Sequence, residues 1–211
     1  MENKENQIEQ ENQKEEESKK SGLFSFLKEY KVKDIVFLSI ISGIAILCSA
    51  VMPLVLPLIH EIFGIAQIVT GFQLTLFFVI GLYKVRKPFA LFYMALFSGI
   101  IQAFMSPVVF AGNLLSAFLL EALFFIIFKG KSFDKDYKIF LGSILYLPCT
   151  LPFNFLINWG LNGNEYLLEK QFTNPWIVTG LTLAVIAVCA LGGLIGLLVS
   201  RKLKKSGVIK K

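Results

Sequence analysis

An all-α integral membrane bundle of six transmembrane helices is the fold the sequence predicts, with both termini on one side, and three observations predict it. Of the 211 residues, 55% are hydrophobic and only 17% charged, and the mean hydropathy is +0.66, whereas soluble domains sit nearer a quarter charged. Apolar runs of about 20 residues, the length a membrane crossing requires, recur six times. The 21 Lys and Arg residues are also sorted between the intervening segments: 7 precede the first run, 3 follow the second, 4 follow the fourth and 6 follow the sixth, leaving only Lys170 on the other side. The positive-inside rule then puts both ends in the cytoplasm, and losing any one run would break the alternation.

The elements follow in order. Residues 1–21 are almost entirely Glu, Gln, Asn, Lys and Ser. Such a segment buries too little apolar surface to offset the entropy of ordering, so a disordered tail is expected. Residues 22–34 mix large apolar side chains with Lys28, Lys31 and Lys33, the pattern of an interfacial lead-in whose ammonium groups reach the phosphate level. The first span is expected over about 35–59, kinked or ended by Pro53 and Pro57, and the second over 62–82, closed by Tyr83-Lys-Val-Arg-Lys-Pro88. Pro88 suits the first turn of a third span over 88–105. Ser106-Pro107 makes a minimal turn into a fourth over 108–128, and a polar loop over 129–138 leads to a fifth over 139–158. A second polar loop over 159–174 leads to a sixth over 175–200, which Arg201-Lys-Leu-Lys-Lys205 is expected to stop before a basic tail over 201–211. A cleavable signal peptide is the competing account of the first run. The polar tail before it is too long, the run exceeds a signal core, and Cys48-Ser-Ala50 matches cleavage poorly.

Several chemistries are set aside on residue grounds. The composition excludes a nucleic-acid-binding domain. Cys48, Cys149 and Cys189 lie far apart in apolar runs, which suits small packing residues rather than a metal or redox site, and no cofactor is expected. Gly130-Lys131-Ser132 resembles the end of a phosphate loop, but Phe125 stands where its first glycine belongs and a membrane span precedes it. There is no HExxH, no GxSxG and no paired-carboxylate motif, and the single histidine, His60, falls at a membrane edge. An enzyme is therefore not expected, and any ATP would be used by another chain.

Polar groups inside the runs are few. Glu121 is the one carboxylate away from a membrane edge. At that depth a charge costs a few kcal/mol on insertion scales, so it either meets a ligand or is bonded to a neighbouring helix near the inner interface. Asn113 and Ala117 precede it on one i, i+4 stripe, with Asn113 nearer the outside. Asn154, Asn158 and Trp159 cluster at the outer end of the fifth span, where two amides and an indole could cup a flat polar ring, or could serve as helix glue and an aromatic belt. Gln67, Gln73 and Gln102 are further candidates, with interhelical glue as the alternative. Small residues, Ser39 and Gly43 with Ala45 and Ser49 on the first span and Gly192, Gly196 and Ser200 on the sixth, permit close helix approach, either within the bundle or against a partner.

These residues carry a resemblance. Six spans in about 200 residues, small residues on the first span and polar groups in the outer halves of spans four to six look like the substrate-binding (S) component of an energy-coupling factor (ECF) transporter. Tyr30-Lys-Val-Lys-Asp-Ile-Val36, Arg86-Lys-Pro88 and Ala117 to Phe125 with Glu121 are similar to its hydroxymethylpyrimidine/thiamine type. One departure is that residues 89–105 carry no acid, so a cationic vitamin would depend on Glu121 or Glu61. The resemblance implies a multi-pass protein of the prokaryotic plasma membrane that captures a B vitamin or precursor at its outer face. Asn113, Glu121, Asn154, Asn158, Trp159 and Gln102 would contact the ligand, while His60, Glu61 and the 159–174 loop would close over it. Ser39 and Gly43 would meet a transmembrane coupling (T) subunit driven by two cytoplasmic ATPases. A secondary transporter, a channel and a membrane assembly partner fit the composition too, although neither an internal repeat nor a second buried charge supports the first two.

Overall fold

The computed structural model describes residues 30–49, 64–104, 107–162 and 175–207. Among them six helices succeed one another, α1 (Val32–Cys48), α2 (Ile65–Lys84), α3 (Ala90–Ala103), α4 (Pro107–Ile127), α5 (Asp136–Asn162) and α6 (Pro175–Lys205), with no strand. The protein is all-α, as expected. Helices α2, α4, α5 and α6 are each long and apolar enough to cross a membrane. Helix α3 has only 14 residues and reaches about 21 Å, short of a hydrocarbon core of about 30 Å. The tail over 1–21, the lead-in up to residue 29, Pro53, Pro57, His60, Glu61 and the 163–174 segment lie outside the described residues.

The chain divides into two units, Met1–Ile35 and Val36–Lys211. Of the first, only the start of α1 is described, with Asp34 in its first turn, where an acid complements the positive end of the helix dipole. The second contains the bundle.

Within that bundle, α2 to α6 alternate in direction, as pairs of contacts reveal. Met94 sits where a Cβ on Gly81 would fall, turning α3 back along α2. Phe89, just before α3, and Phe92 within it meet Phe125 and Phe118 of α4 at ring distances of 5.9 and 6.0 Å, an antiparallel hairpin. Helix α5 reverses again, bringing Asn154 to Gly112 near the start of α4 and Phe133, in the loop before α5, to Phe124 near the end of α4. Helix α6 runs against α5 and parallel to α2. A Cβ on Gly192 would strike the Phe72 carbonyl, and one on Gly196 would come within 2.9 Å of the Leu76 carbonyl. Gly192, Gly196 and Ser200 are all buried, so the small face of the sixth run packs inside the bundle.

Helix ends differ from the sequence expectations where local chemistry intervenes. Pro88 does not open α3: it lies in the turn before Phe89, whose φ of 67° ends the turn, and Ala90 begins the helix. Pro107 takes the first helical position of α4 instead, where the missing N–H costs nothing. Helix α5 starts at Asp136 rather than 139 and extends through Pro148 and Pro152 to Asn162. Arg201-Lys-Leu-Lys-Lys205 does not stop the last helix. It forms its final turns, with Lys202, Lys204 and Lys205 at the negative end of the dipole.

The Gly130-Lys131-Ser132 stretch closes a helix. Lys129 and Gly130 have φ of 50° and 79°, the Gly130 N–H donates to Phe125 O at 2.8 Å and the Lys129 N–H to Ile126 O at 3.3 Å, the reciprocal pattern of a left-handed helix terminus. A phosphate cradle needs the opposite end of a helix, where N–H groups point outward.

Candidate functional site

The amides picked out in the sequence gather where α3 ends, α4 begins and α5 nears its end. The Asn113 side-chain amide donates to the Gln102 side-chain carbonyl across the α3–α4 hairpin. One residue earlier and about 100° around the helix, Gly112 faces α5, and a Cβ there would occupy the place of Asn154 Oδ1. The absent side chain lets the Asn154 carboxamide reach the α4 backbone. Asn154 Oδ1 is buried and accepts no hydrogen bond among the described residues, a state that costs about 1–3 kcal/mol. Asn158, one turn further on, donates from Nδ2 to the Asn154 backbone carbonyl at 2.8 Å, so one of its protons is held within α5.

Helix α5 carries two prolines where it meets this cluster. Pro148 and Pro152 each lack the N–H that would bond four residues back. Hydroxyl groups concentrate there. Thr150 Oγ1 donates to Leu147 O at 2.7 Å, and Ser116 Oγ lies 2.6 Å from Gly112 O and 3.1 Å from Cys149 O. Such side chains let a spanning helix tolerate proline, and they bring backbone carbonyls into a polar environment at membrane depth. Neither proline nor the Gly112–Ser116 pair stood out in the sequence reading, although small residues four apart are the signal that could have found the pair.

Glu121 is elsewhere. Eight residues beyond Asn113, about 12 Å along the axis, its Oε2 accepts from the Phe92 backbone N–H at 2.8 Å. Helix α3 starts at Ala90, and Phe89 before it supplies no side-chain cap, so a carboxylate from the neighbouring helix accepts from an amide of its first turn. Glu121 is completely buried. Its other oxygen, Oε1, has no partner among the described residues.

The remaining candidates are scattered. Trp159 is 42% exposed, at the end of α5 nearest the amides. Gln67 and Gln73 are half-buried on α2, and Gln73 Oε1 is buried without a partner among the described residues. On α1, Leu38, Ser42, Ala45 and Ser49 form the buried stripe. Ser39 and Gly43 flank it, with Ser39 Oγ donating to Val36 O at 2.9 Å and, among the described residues, nothing outside α1 within 4 Å of a Cβ on Gly43.

At the opposite end from the amides, charges knit the loops together. Asp136 at the start of α5 accepts from Arg86, after α2, at 2.7 Å and from Arg201 of α6 at 3.0 Å. Arg86 also donates to Asp134 O at 2.8 Å and lies 4.4 Å over the Tyr83 ring. Lys138 is nearly buried, paired with Asp134 at 2.6 Å, donating to Lys131 O at 2.7 Å and sitting 4.3 Å over the Phe128 ring. The Lys138 hydrogen bond is the leading reason that the Asp134 carboxyl is held below its ordinary range.

No protein-family model, no curated protein and no solved structure matches this chain.

Proposed function

We propose that the chain is the vitamin-binding S component of an ECF importer, spanning the plasma membrane six times with both termini cytoplasmic. The buried, undonated Asn154 Oδ1 beside the Asn113–Gln102 pair carries the reading. An acceptor left without a donor one half-turn past Pro152 of α5 suits a ligand N–H, and the neighbouring amides suit the edge of a flat ring. Topology adds support: the connections after α2 and α4 and the end of α6, joined through Asp136, bring three of the four cationic clusters to one end of the bundle, as an inner face requires.

The ligand favoured by these groups is a neutral, hydrogen-bonding ring, such as the pyrimidine precursor of thiamine. Helix α3 has no acid in its sequence and Glu121, bonded through Oε2 at the α3 start, stands about 12 Å from Asn113 along α4, so among the described residues a cationic ring finds no counter-charge beside the amides. Glu121 in this account is a clamp that holds the α3–α4 hairpin. Partners would be a coupling subunit, reached by the α1 face bearing Ser39 and Gly43, and two ATPases.

The test is binding by the full chain in detergent. Asn154→Leu removes the acceptor while keeping the branching and the number of non-hydrogen atoms, and replacing an unpaired buried polar atom by an apolar group is neutral or stabilising. It should therefore leave the ligand-free melting temperature equal or higher and weaken vitamin binding at least tenfold. Unchanged affinity in a folded Asn154→Leu protein would remove the amide cluster from the site.

A further inference from the structure

A cavity of about 550 Å³ lies at the charged end of the bundle, lined by Tyr83, Leu198, Arg201, Lys202, Lys204 and Lys205. We propose that it binds the headgroup of an anionic phospholipid, whose acyl chains run along α6. The proposal is independent of vitamin capture and needs only that α6 crosses a membrane.

Helical geometry carries the argument. Leu191, Leu194, Leu198, Arg201, Lys202 and Lys205 fall within an arc of about 100° on α6, opposite the buried Val185, Cys189, Gly192, Gly196 and Ser200. The three leucines are more than half exposed. An apolar track therefore leads directly into a group of cations on one helix face, which matches a lipid and has no purpose for a soluble anion. The charges are available as well. Arg201 spends Nε and one Nη on Asp136, while Lys202, Lys204 and Lys205 are exposed and form no ion pair among the described residues. Tyr83 forms the opposite wall from α2, pinned by the Arg86 guanidinium on its ring. Basic recesses between spanning helices at the membrane surface are where acidic headgroups are held, each Lys or Arg adding severalfold to affinity.

Native mass spectrometry of the full chain in detergent tests this, with phosphatidylglycerol and phosphatidylcholine added in equal amounts. Phosphatidylglycerol should be retained preferentially. Lys202→Gln with Lys205→Gln should cut that retention roughly tenfold or more, while Lys131→Gln with Lys135→Gln, the same charge change outside the cavity, should leave it intact. Equal retention of the two lipids, or equal loss in both double variants, would overturn the proposal. So would displacement of phosphatidylglycerol by inorganic phosphate beyond that caused by chloride of the same ionic strength, which would make the cavity a phosphate site.

Discussion

The Glu121 carboxylate accepts a hydrogen bond from the Phe92 backbone N–H at 2.8 Å, joining the last third of α4 to the first turn of α3. Removing it leaves the part-buried Phe92 amide without that acceptor. Glu121→Ala should destabilise the protein by about 1–3 kcal/mol and lower folded yield, whereas Glu121→Gln, which keeps a carbonyl oxygen, should cost less. Thermal unfolding in detergent distinguishes them. Vitamin affinity of folded Glu121→Gln should match that of the parent; a tenfold loss would mean that Glu121 touches the ligand.

Gly112 makes room for the Asn154 carboxamide. Gly112→Ala should displace that side chain and weaken ligand binding by more than it lowers stability, since overpacking at one methyl costs about 1–3 kcal/mol. Parallel binding and melting curves give the comparison. A variant that binds normally would show that Asn154 can move without consequence.

Acid should weaken the loop before α5. The Asp134 carboxyl is held below its ordinary range chiefly by the Lys138 hydrogen bond, so the folded state takes up its proton at lower pH than the unfolded chain does. Its stabilisation is complete above the unfolded value of about 3.9 and is lost as pH falls toward the depressed folded value. Asp134→Asn should therefore lower stability slightly at neutral pH, by little because the carboxylate is partly exposed and screened, and melting curves of parent and variant should converge as pH falls below about 4.

The α1 face offers a test of partnership. Among the described residues no atom outside α1 lies within 4 Å of a Cβ on Gly43, so Gly43→Leu should fold normally and keep vitamin affinity. It should abolish co-purification with a coupling subunit expressed alongside. Intact co-purification would move the docking face away from Gly43.

Legibility in the sequence followed interaction range. Apolar run length and the placement of cations made the helices visible, because both are properties of consecutive residues. Helix ends were less so: the last turns of α6 are basic, and polarity alone could not tell a helix continuing into the headgroups from one that stops. Asn113 and Gln102 were visible as amides in apolar surroundings, but their pairing depends on the α3–α4 hairpin. Glu121 stood out as a buried acid, yet its partner is a backbone amide 29 residues away, which no side-chain pattern encodes. Arg86, Asp136 and Arg201, 50 and 65 residues apart, looked like ordinary surface charges until the fold brought them together.

The central claim is that this protein holds a vitamin. The most direct measurement is thermal unfolding of the purified full chain in detergent with thiamine, its pyrimidine precursor, riboflavin, biotin, cobalamin and folate in turn. A ligand present at 100 times its Kd stabilises the folded state by about 2.7 kcal/mol, so one member of the panel, with the pyrimidine precursor favoured, should raise the melting temperature by several degrees and lose that effect in Asn154→Leu. A melting temperature unmoved by every vitamin would contradict the account.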